Sequence, residues 1–193
     1  MISDTWRTLI GMPPPPAARA KVLHAFAEIL VTQGERAATL DAVADRASVS
    51  KGGLLYHFPS KDDLTEGLAD VFGELVAADT DQMRSAEAGP VDYIVRTSAR
   101  ADSEFELYYA AIAVLARGAH QSAARALVRA QDAWRETLAG AVPDRLVARA
   151  LIYICDGLAA DAEVRRAADI EPLSEVDVDN LIALAQQIAR LSR

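Results

Sequence analysis

The sequence predicts an all-α protein, and three observations lead to that prediction. The chain is rich in alanine and 51% hydrophobic, whereas only 6% of its residues are aromatic. Glycine and proline are sparse and clustered, which is unlike the regular turns between strands. Apolar residues recur at spacings of three and four, the period of an amphipathic helix, and no sustained strand-like alternation occurs. We therefore expect two helical domains, over residues 17–75 and 76–193.

The helices are predicted in order from their caps and breaks. Residues 1–16 end in Met12 and four prolines, which cannot continue a helix, so they are predicted to be a flexible arm. A helix is expected over 17–33, ended by Gly34, and two short helices follow the N-cap residues Thr39 and Ser50. Longer helices are predicted over 61–83, 91–102, 104–119, 122–141, 144–168 and 174–191.

Several classes of protein are disfavoured by the composition. The single cysteine, Cys155, excludes an internal disulfide and is typical of a reducing compartment. No apolar run approaches the roughly 20 residues of a membrane span, and no signal peptide is evident, so a cytoplasmic location is expected. The three histidines lie far apart without cysteine partners, and no phosphate-binding loop follows a strand. We expect no metal, no cofactor and no enzymatic activity.

The charge is distributed unevenly along the chain. The net charge is −8, which by itself disfavours a nucleic-acid partner. Residues 1–61, however, hold seven Lys/Arg against five Asp/Glu, while residues 62–193 hold 13 against 23. Because local basic surface governs phosphate contact, the N-terminal end is the part suited to DNA.

The segment from Thr39 to Lys61, TLDAVADRASVSKGGLLYHFPSK, reads as helix, turn, helix and the start of another helix. Its second helix is too polar to be core, apart from two predicted apolar anchors, Leu54 and Phe58. Glycines at 52 and 53 each cost about 1 kcal/mol of helix propensity against alanine. Close approach of the backbone to DNA is one reason for placing two glycines there. These features indicate a helix-turn-helix whose second helix enters the major groove.

At this point the chain resembles the N-terminal domain of the TetR family of transcriptional repressors, from about Ala18 to Val71. Many members have glycine where Ser48 stands and tyrosine where Leu55 stands. The aromatic here is Tyr56, so Leu55 and Tyr56 are alternatives for the position facing DNA. The helix-turn-helix motif spans residues 39–58. The resemblance implies that the DNA face comprises Thr39, Ser50, Lys51, Gly52, Gly53, Tyr56, His57 and Lys61.

The resemblance also implies a C-terminal helical domain that binds an effector and dimerises. Aromatic residues with polar tips suit an apolar pocket, and ordinary core packing is the alternative. The predicted ligand-binding residues are Phe72, Phe105, Tyr108, Tyr109, Ile112, Trp134, Tyr153 and Asp156. The predicted dimer interface consists of Val147, Leu151, Ile154, Leu158, Leu181, Leu184 and Ile188, with closure of the monomer core as the alternative.

The expected function is that of a homodimeric repressor released from a palindromic operator by a small apolar ligand. Two alternatives stay open. One is a small-molecule carrier or enzyme with a vestigial helix-turn-helix head, which predicts no salt-dependent DNA binding. The other is a DNA-binding protein without an effector, which predicts a C-terminal domain that lacks a cavity.

Overall fold

A computed structural model describes residues 17–100 and 103–190, and these residues form helices joined by short loops. No strand occurs in these two ranges. The helices are α1 (Ala17–Gln33), α2 (Leu40–Ala47), α3 (Lys51–His57), α4 (Lys61–Ser85), α5 (Pro90–Ser98), α6 (Glu104–Arg117), α7 (Gln121–Ala139), α8 (Arg145–Ala167) and α9 (Glu175–Ala189). The predicted all-α fold is therefore confirmed.

The described chain divides into two compact units. One comprises the described residues up to Glu74 together with Leu107–Leu127, and the other comprises Leu75–Glu106 and the residues from Val128 onward. The division falls within α4, close to the boundary proposed at residue 75, but it assigns the segment from Leu107 to Leu127 to the N-terminal unit. The predicted arm, residues 1–16, and Leu191, predicted at the end of the last helix, lie outside the described residues.

The caps of the N-terminal helices are those that the sequence predicts. Thr39 accepts a hydrogen bond from the backbone N–H of Ala42, and Ser50 accepts one from the N–H of Gly53. Each bond satisfies an N–H group that the first turn of a helix leaves without a partner. Between the two helices, Ser48 adopts a left-handed conformation with φ 55° and ψ 44°. Serine therefore adopts at this turn a conformation that usually favours glycine.

The N-terminal unit has a core built from the apolar faces of α1 to α4. Helices α1, α2 and α3 pack against one another. On α4, the apolar residues Leu64, Leu68 and Phe72 are buried and face this core. From the segment 107–127, Tyr108 and Ile112 are also buried, and the rings of Phe72 and Tyr109 lie 6.1 Å apart.

In the second unit, α5 packs against both α8 and α9, and α8 packs against α9. Arg96 on α5 joins α9 through Asp179, with 2.9 Å between Nη2 and Oδ1. Leu151 is fully buried in this unit, so it belongs to the core of the single chain. Its prediction as a dimer contact is corrected for that reason, because a residue already covered offers no surface to a second copy.

Candidate nucleic-acid interface

Helix α3 is held to the N-terminal unit by the two anchors that the sequence predicts. Leu54 is fully buried and Phe58, just after the helix, is 3% exposed. The Phe58 ring packs under α4, where a Cβ added at Gly67 would lie only 2.6 Å from its Cε1 atom. The guanidinium of Arg19 lies 5.4 Å from the centroid of the same ring, which adds a cation–π contact. Phe58 therefore fixes the position of α3 relative to α4.

The opposite face of α3 is open to solvent. Tyr56 is 84% exposed, whereas Leu55 is only partly exposed, so Tyr56 is the more accessible of the two alternatives. The Tyr56 ring meets the His57 ring edge-on, with 5.1 Å between centroids. A Cβ added at Gly52 would meet no atom of the described residues within 4 Å, so no contact in residues 17–100 and 103–190 requires glycine there. This face of α3 is therefore polar and exposed, and its backbone is uncovered at Gly52 and Gly53.

Lys51 lies at the start of this face and is paired with Asp41 on α2. The distance from Nζ to Oδ1 is 2.7 Å, and both side chains are more than half exposed. Exposed ion pairs contribute roughly 0–1 kcal/mol, so a phosphate group can displace Asp41 at little cost. The Lys51 ammonium is therefore positioned on the exposed face and remains able to bind a phosphate.

Lys61 was predicted to contact phosphate, and the structure gives it other partners. Its ammonium donates to the backbone carbonyl of Glu35 over 2.8 Å and lies 3.7 Å from the Glu35 carboxylate. The same carboxylate is 3.0 Å from Nε2 of His120. The hydrogen bond with His120 is the largest of the influences that lower the pKa of Glu35. Because its charge is engaged within the unit, Lys61 serves to join the start of α4 to the turn after α1.

Gly118 belongs to the same cluster. A Cβ added at Gly118 would collide with Oε2 of Glu35, so the carboxylate occupies the space that a side chain would need. The neighbouring Ala119 has φ 69°, a left-handed conformation at a residue other than glycine. This turn is shaped around the Glu35 carboxylate.

One cation near the predicted DNA face was not among the residues selected from the sequence. Arg36 is exposed and lies three residues before the N-cap Thr39. Its position in the turn that leads into the helix-turn-helix is the sequence signal that could have identified it.

The residues predicted to bind a ligand fall in both units. In the N-terminal unit, Tyr108 and Ile112 are buried and Phe72 packs near Tyr109, as described above. In the second unit, Trp134 is 7% exposed and its ring lies 6.1 Å from that of Phe105. Each group is a packed aromatic cluster of its own unit.

A carboxylate that the sequence did not single out completes the cluster in the second unit. Asp79 accepts a hydrogen bond from Nε1 of Trp134 over 2.7 Å and one from the hydroxyl of Tyr93 over 2.8 Å. Burial raises the pKa of Asp79 above its ordinary value, and the two hydrogen bonds oppose that shift. Because Asp79 lies among polar neighbours in the sequence of α4, its partial burial was not predicted.

Two residues on α8 differ from one another in their surroundings. Tyr153 was predicted to line an apolar pocket, but its side chain is 61% exposed, so it lies on the outer surface of the chain. The helix turns its neighbours Ile152 and Cys155 inward and leaves Tyr153 outside. Asp156 is half-buried, burial raises its pKa, and Nε2 of Gln131 lies 3.4 Å from its Oδ2.

In the ranges 17–100 and 103–190, no group of three or more metal-ligating side chains is close enough to hold an ion. Among the helices described here, none has the length and apolar character needed to cross a membrane.

The segment that contains the helix-turn-helix is similar to known proteins. Residues 22–68 match the family described as bacterial regulatory proteins, tetR family. The HTH-type transcriptional repressor KstR2 of Rhodococcus jostii (strain RHA1) is 36% identical over 93 residues, a match that covers 40% of the chain. The chain spans about half the length of this curated relative, 46%.

Solved structures extend the likeness to the whole fold. A transcriptional regulator from Rhodococcus sp. Rha1 has a TM-score of 0.68 and 22% identity, covering 91% of this chain and 99% of the other. The multidrug binding protein EbrR, complexed with malachite green, has a TM-score of 0.66 and 20% identity, covering 91% and 100%. The matched family and the curated relative are regulators, not enzymes. The part of the chain that contains the helix-turn-helix, residues 22–68, is thus similar to the tetR family of bacterial regulatory proteins.

Proposed function

We propose that the protein is a transcriptional repressor that binds operator DNA as a homodimer and is released by a small apolar ligand. The observation that carries the proposal is the surface of α3. Leu54 and Phe58 are buried against the N-terminal unit, while Lys51, Gly52 and Tyr56 are exposed. This is the arrangement that a helix needs in order to present polar groups and bare backbone to a DNA groove.

Exposed apolar side chains on the last two helices support the dimer. Ile154 on α8 is 37% exposed and Leu184 on α9 is 52% exposed, while Val147 and Leu158 are only partly covered. Leu181 and Ile188 are likewise partly covered. A second copy would remove this apolar surface from water. Two heads held in this way would meet half-sites about 34 Å, or a multiple of that distance, apart.

The ligand is supported by the aromatic clusters and by one structural relative. EbrR is described as a multidrug binding protein and is known in complex with imidazole, ethidium and malachite green. In the present chain, Phe105 and Trp134 form an apolar cluster with the half-buried carboxylate of Asp79 at its edge. An aromatic cluster with few polar groups is suited to an apolar effector. Effector binding is coupled to release only if the ligand prefers the state that does not bind DNA.

The decisive experiment selects a bound duplex from a random DNA library and measures affinity by fluorescence anisotropy at several salt concentrations. We expect Lys51→Ala to weaken binding about tenfold and to reduce the dependence on salt, because one phosphate contact is lost. Arg149→Ala removes the same charge from an exposed position on α8 and should bind as the parent does. Sedimentation of the free protein should give a dimer. If Lys51→Ala and Arg149→Ala bind equally well at every salt concentration, the DNA face is wrongly assigned.

Replacing Gly52 by alanine separates the stability of α3 from its contact with DNA. Because a Cβ at this position meets no atom of the described part of the chain, Gly52→Ala should raise the free energy of unfolding by up to about 1 kcal/mol. The same methyl group should lower the affinity for the selected duplex, since it keeps the backbone away from the phosphates. Urea unfolding and anisotropy on the same sample measure both effects. An alanine variant that is more stable and binds DNA as tightly as the parent would show that Gly52 does not approach DNA.

A further inference from the structure

A cavity of about 500 Å³ lies in the second unit, lined by α5, the end of α8, the loop after it and the start of α9. Its volume is in the range of small-molecule sites in proteins. None of the residues predicted to bind a ligand lines it. Its apolar lining residues are Ala99, Ala162, Ile170, Pro172, Leu173 and Val178.

Four arginines also line the cavity, and two of them have fixed partners. Arg96 is held by Asp92, with Nε 3.3 Å from Oδ1, and by Asp179 at 2.9 Å. Arg165 is held by Asp161 over 2.6 Å and donates to the backbone carbonyl of Glu171 over 3.3 Å. These two arginines form a fixed part of the wall.

The other two arginines retain donors for a ligand. Arg166 is exposed and has no carboxylate within ion-pair distance among the residues that the structure describes. Arg100 has one long contact, 3.8 Å from Nη2 to Oε1 of Glu175, and both side chains are well exposed. Such a pair contributes little, so an incoming anion can replace it. Glu175 keeps its contact with Arg96, at 3.4 Å.

Three acidic residues also line the cavity. Glu175 is shared between Arg96 and Arg100, as described, while Asp169 and Glu171 are exposed in the loop. Asp169 has φ 55°, and the N–H of Ile170 bonds to the carbonyl of Arg165 over 2.9 Å. This turn brings the apolar side chain of Ile170, 54% exposed, to the cavity.

We propose that this cavity binds a small amphipathic organic anion, with its carboxylate between Arg100 and Arg166 and its apolar tail against Ala162 and Val178. Arginine suits this task because its guanidinium binds a carboxylate through two parallel hydrogen bonds. A cation would be repelled by the guanidinium groups of Arg100 and Arg166, and a neutral apolar molecule would form no charge-assisted hydrogen bond with them. The site is distinct from the aromatic clusters to which the apolar effector was assigned, and it is independent of the DNA face.

The test uses the full-length protein with octanoate as the probe, measured by isothermal titration calorimetry and by thermal unfolding. Octanoate should bind and raise the unfolding temperature, because a ligand of the folded state stabilises it. Acetate, which lacks the tail, and 1-octanol, which lacks the charge, should do so far more weakly. If octanol stabilises the protein as much as octanoate does, or if octanoate does not bind, the proposal is wrong.

Variants locate the binding. Arg166→Ala should weaken octanoate binding about tenfold, and Arg100→Ala should act in the same direction, because each removes a charge-assisted hydrogen bond. Arg149→Ala, an exposed arginine of α8 outside the cavity, is the matched control and should bind octanoate as the parent does. Equal affinity in the parent and in both test variants would place octanoate elsewhere and overturn the proposal. Lys51→Ala should retain octanoate binding, so failure of this site and failure of DNA binding are observed separately.

Discussion

Phe58→Ala is expected to lower the free energy of unfolding of the N-terminal unit by about 3–5 kcal/mol, the usual cost of deleting a buried phenylalanine ring. The ring is 3% exposed, supports α3 from below and receives the Arg19 guanidinium on one face. Its removal leaves a cavity beneath Gly67, where α4 approaches so closely that the space cannot be refilled by a side chain of that helix. Domains are stable by only about 5–15 kcal/mol, so this variant should lose most of its margin and its DNA binding.

Urea unfolding followed by circular dichroism measures the loss, and Tyr56→Ala is the matched control. Tyr56 is an aromatic residue two positions away that is 84% exposed, so its removal should change stability by no more than about 0.5 kcal/mol. Tyr56→Ala should nevertheless weaken DNA binding if the exposed ring reaches the groove. A Phe58→Ala variant that unfolds at the urea concentration of the parent would show that α3 is held by other contacts.

Asp79→Ala is expected to lower the free energy of unfolding by roughly 1–3 kcal/mol, because two partly buried donors lose their acceptor. Those donors are Nε1 of Trp134, at 2.7 Å, and the hydroxyl of Tyr93, at 2.8 Å. Asp79→Asn should be far milder. The asparagine amide group can accept from Trp134 and donate to Tyr93, whose hydroxyl is already 3.2 Å from an acceptor on Gln82.

The parent and Asp79→Asn differ most clearly in the dependence of their stability on pH. Burial raises the pKa of Asp79 in the folded protein, so the folded state favours the protonated form. Its contribution to stability is therefore complete below the ordinary value of 3.8 and is lost as the pH rises through the raised pKa. Asp79→Asn removes this titration, so the parent and the variant should differ in slope over that window. Parallel stability curves for the two proteins between pH 3 and 7 would contradict the assignment.

Local signals explain how much of the fold the sequence predicted. The caps at Thr39 and Ser50 depend on contacts within three residues, and both were predicted and are present. The inward residues of α4 follow from a regular helical spacing. Gly89, which precedes α5, has φ 88°, a conformation that favours glycine, and it marks the break predicted there.

Features that depend on distant partners were not accessible in the same way. Lys61 was predicted to be free for DNA, but its position relative to Glu35 and His120 is a property of the folded unit. Tyr153 and Leu151 lie two positions apart on α8, and only the packing of that helix decides which is exposed. The cavity between α5, α8 and α9 combines residues that no spacing rule connects.

The contact between Glu35 and His120 has a consequence for the order in which the protein is built. The two residues are 85 positions apart, whereas the caps of α2 and α3 are complete within three. During synthesis the N-terminal helices can therefore form on the emerging chain while the Glu35 carboxylate still faces water and Lys61. His120 is made only after all of α4, α5 and α6. This bond of the N-terminal unit therefore forms only when a residue translated long after α1, α2 and α3 is present.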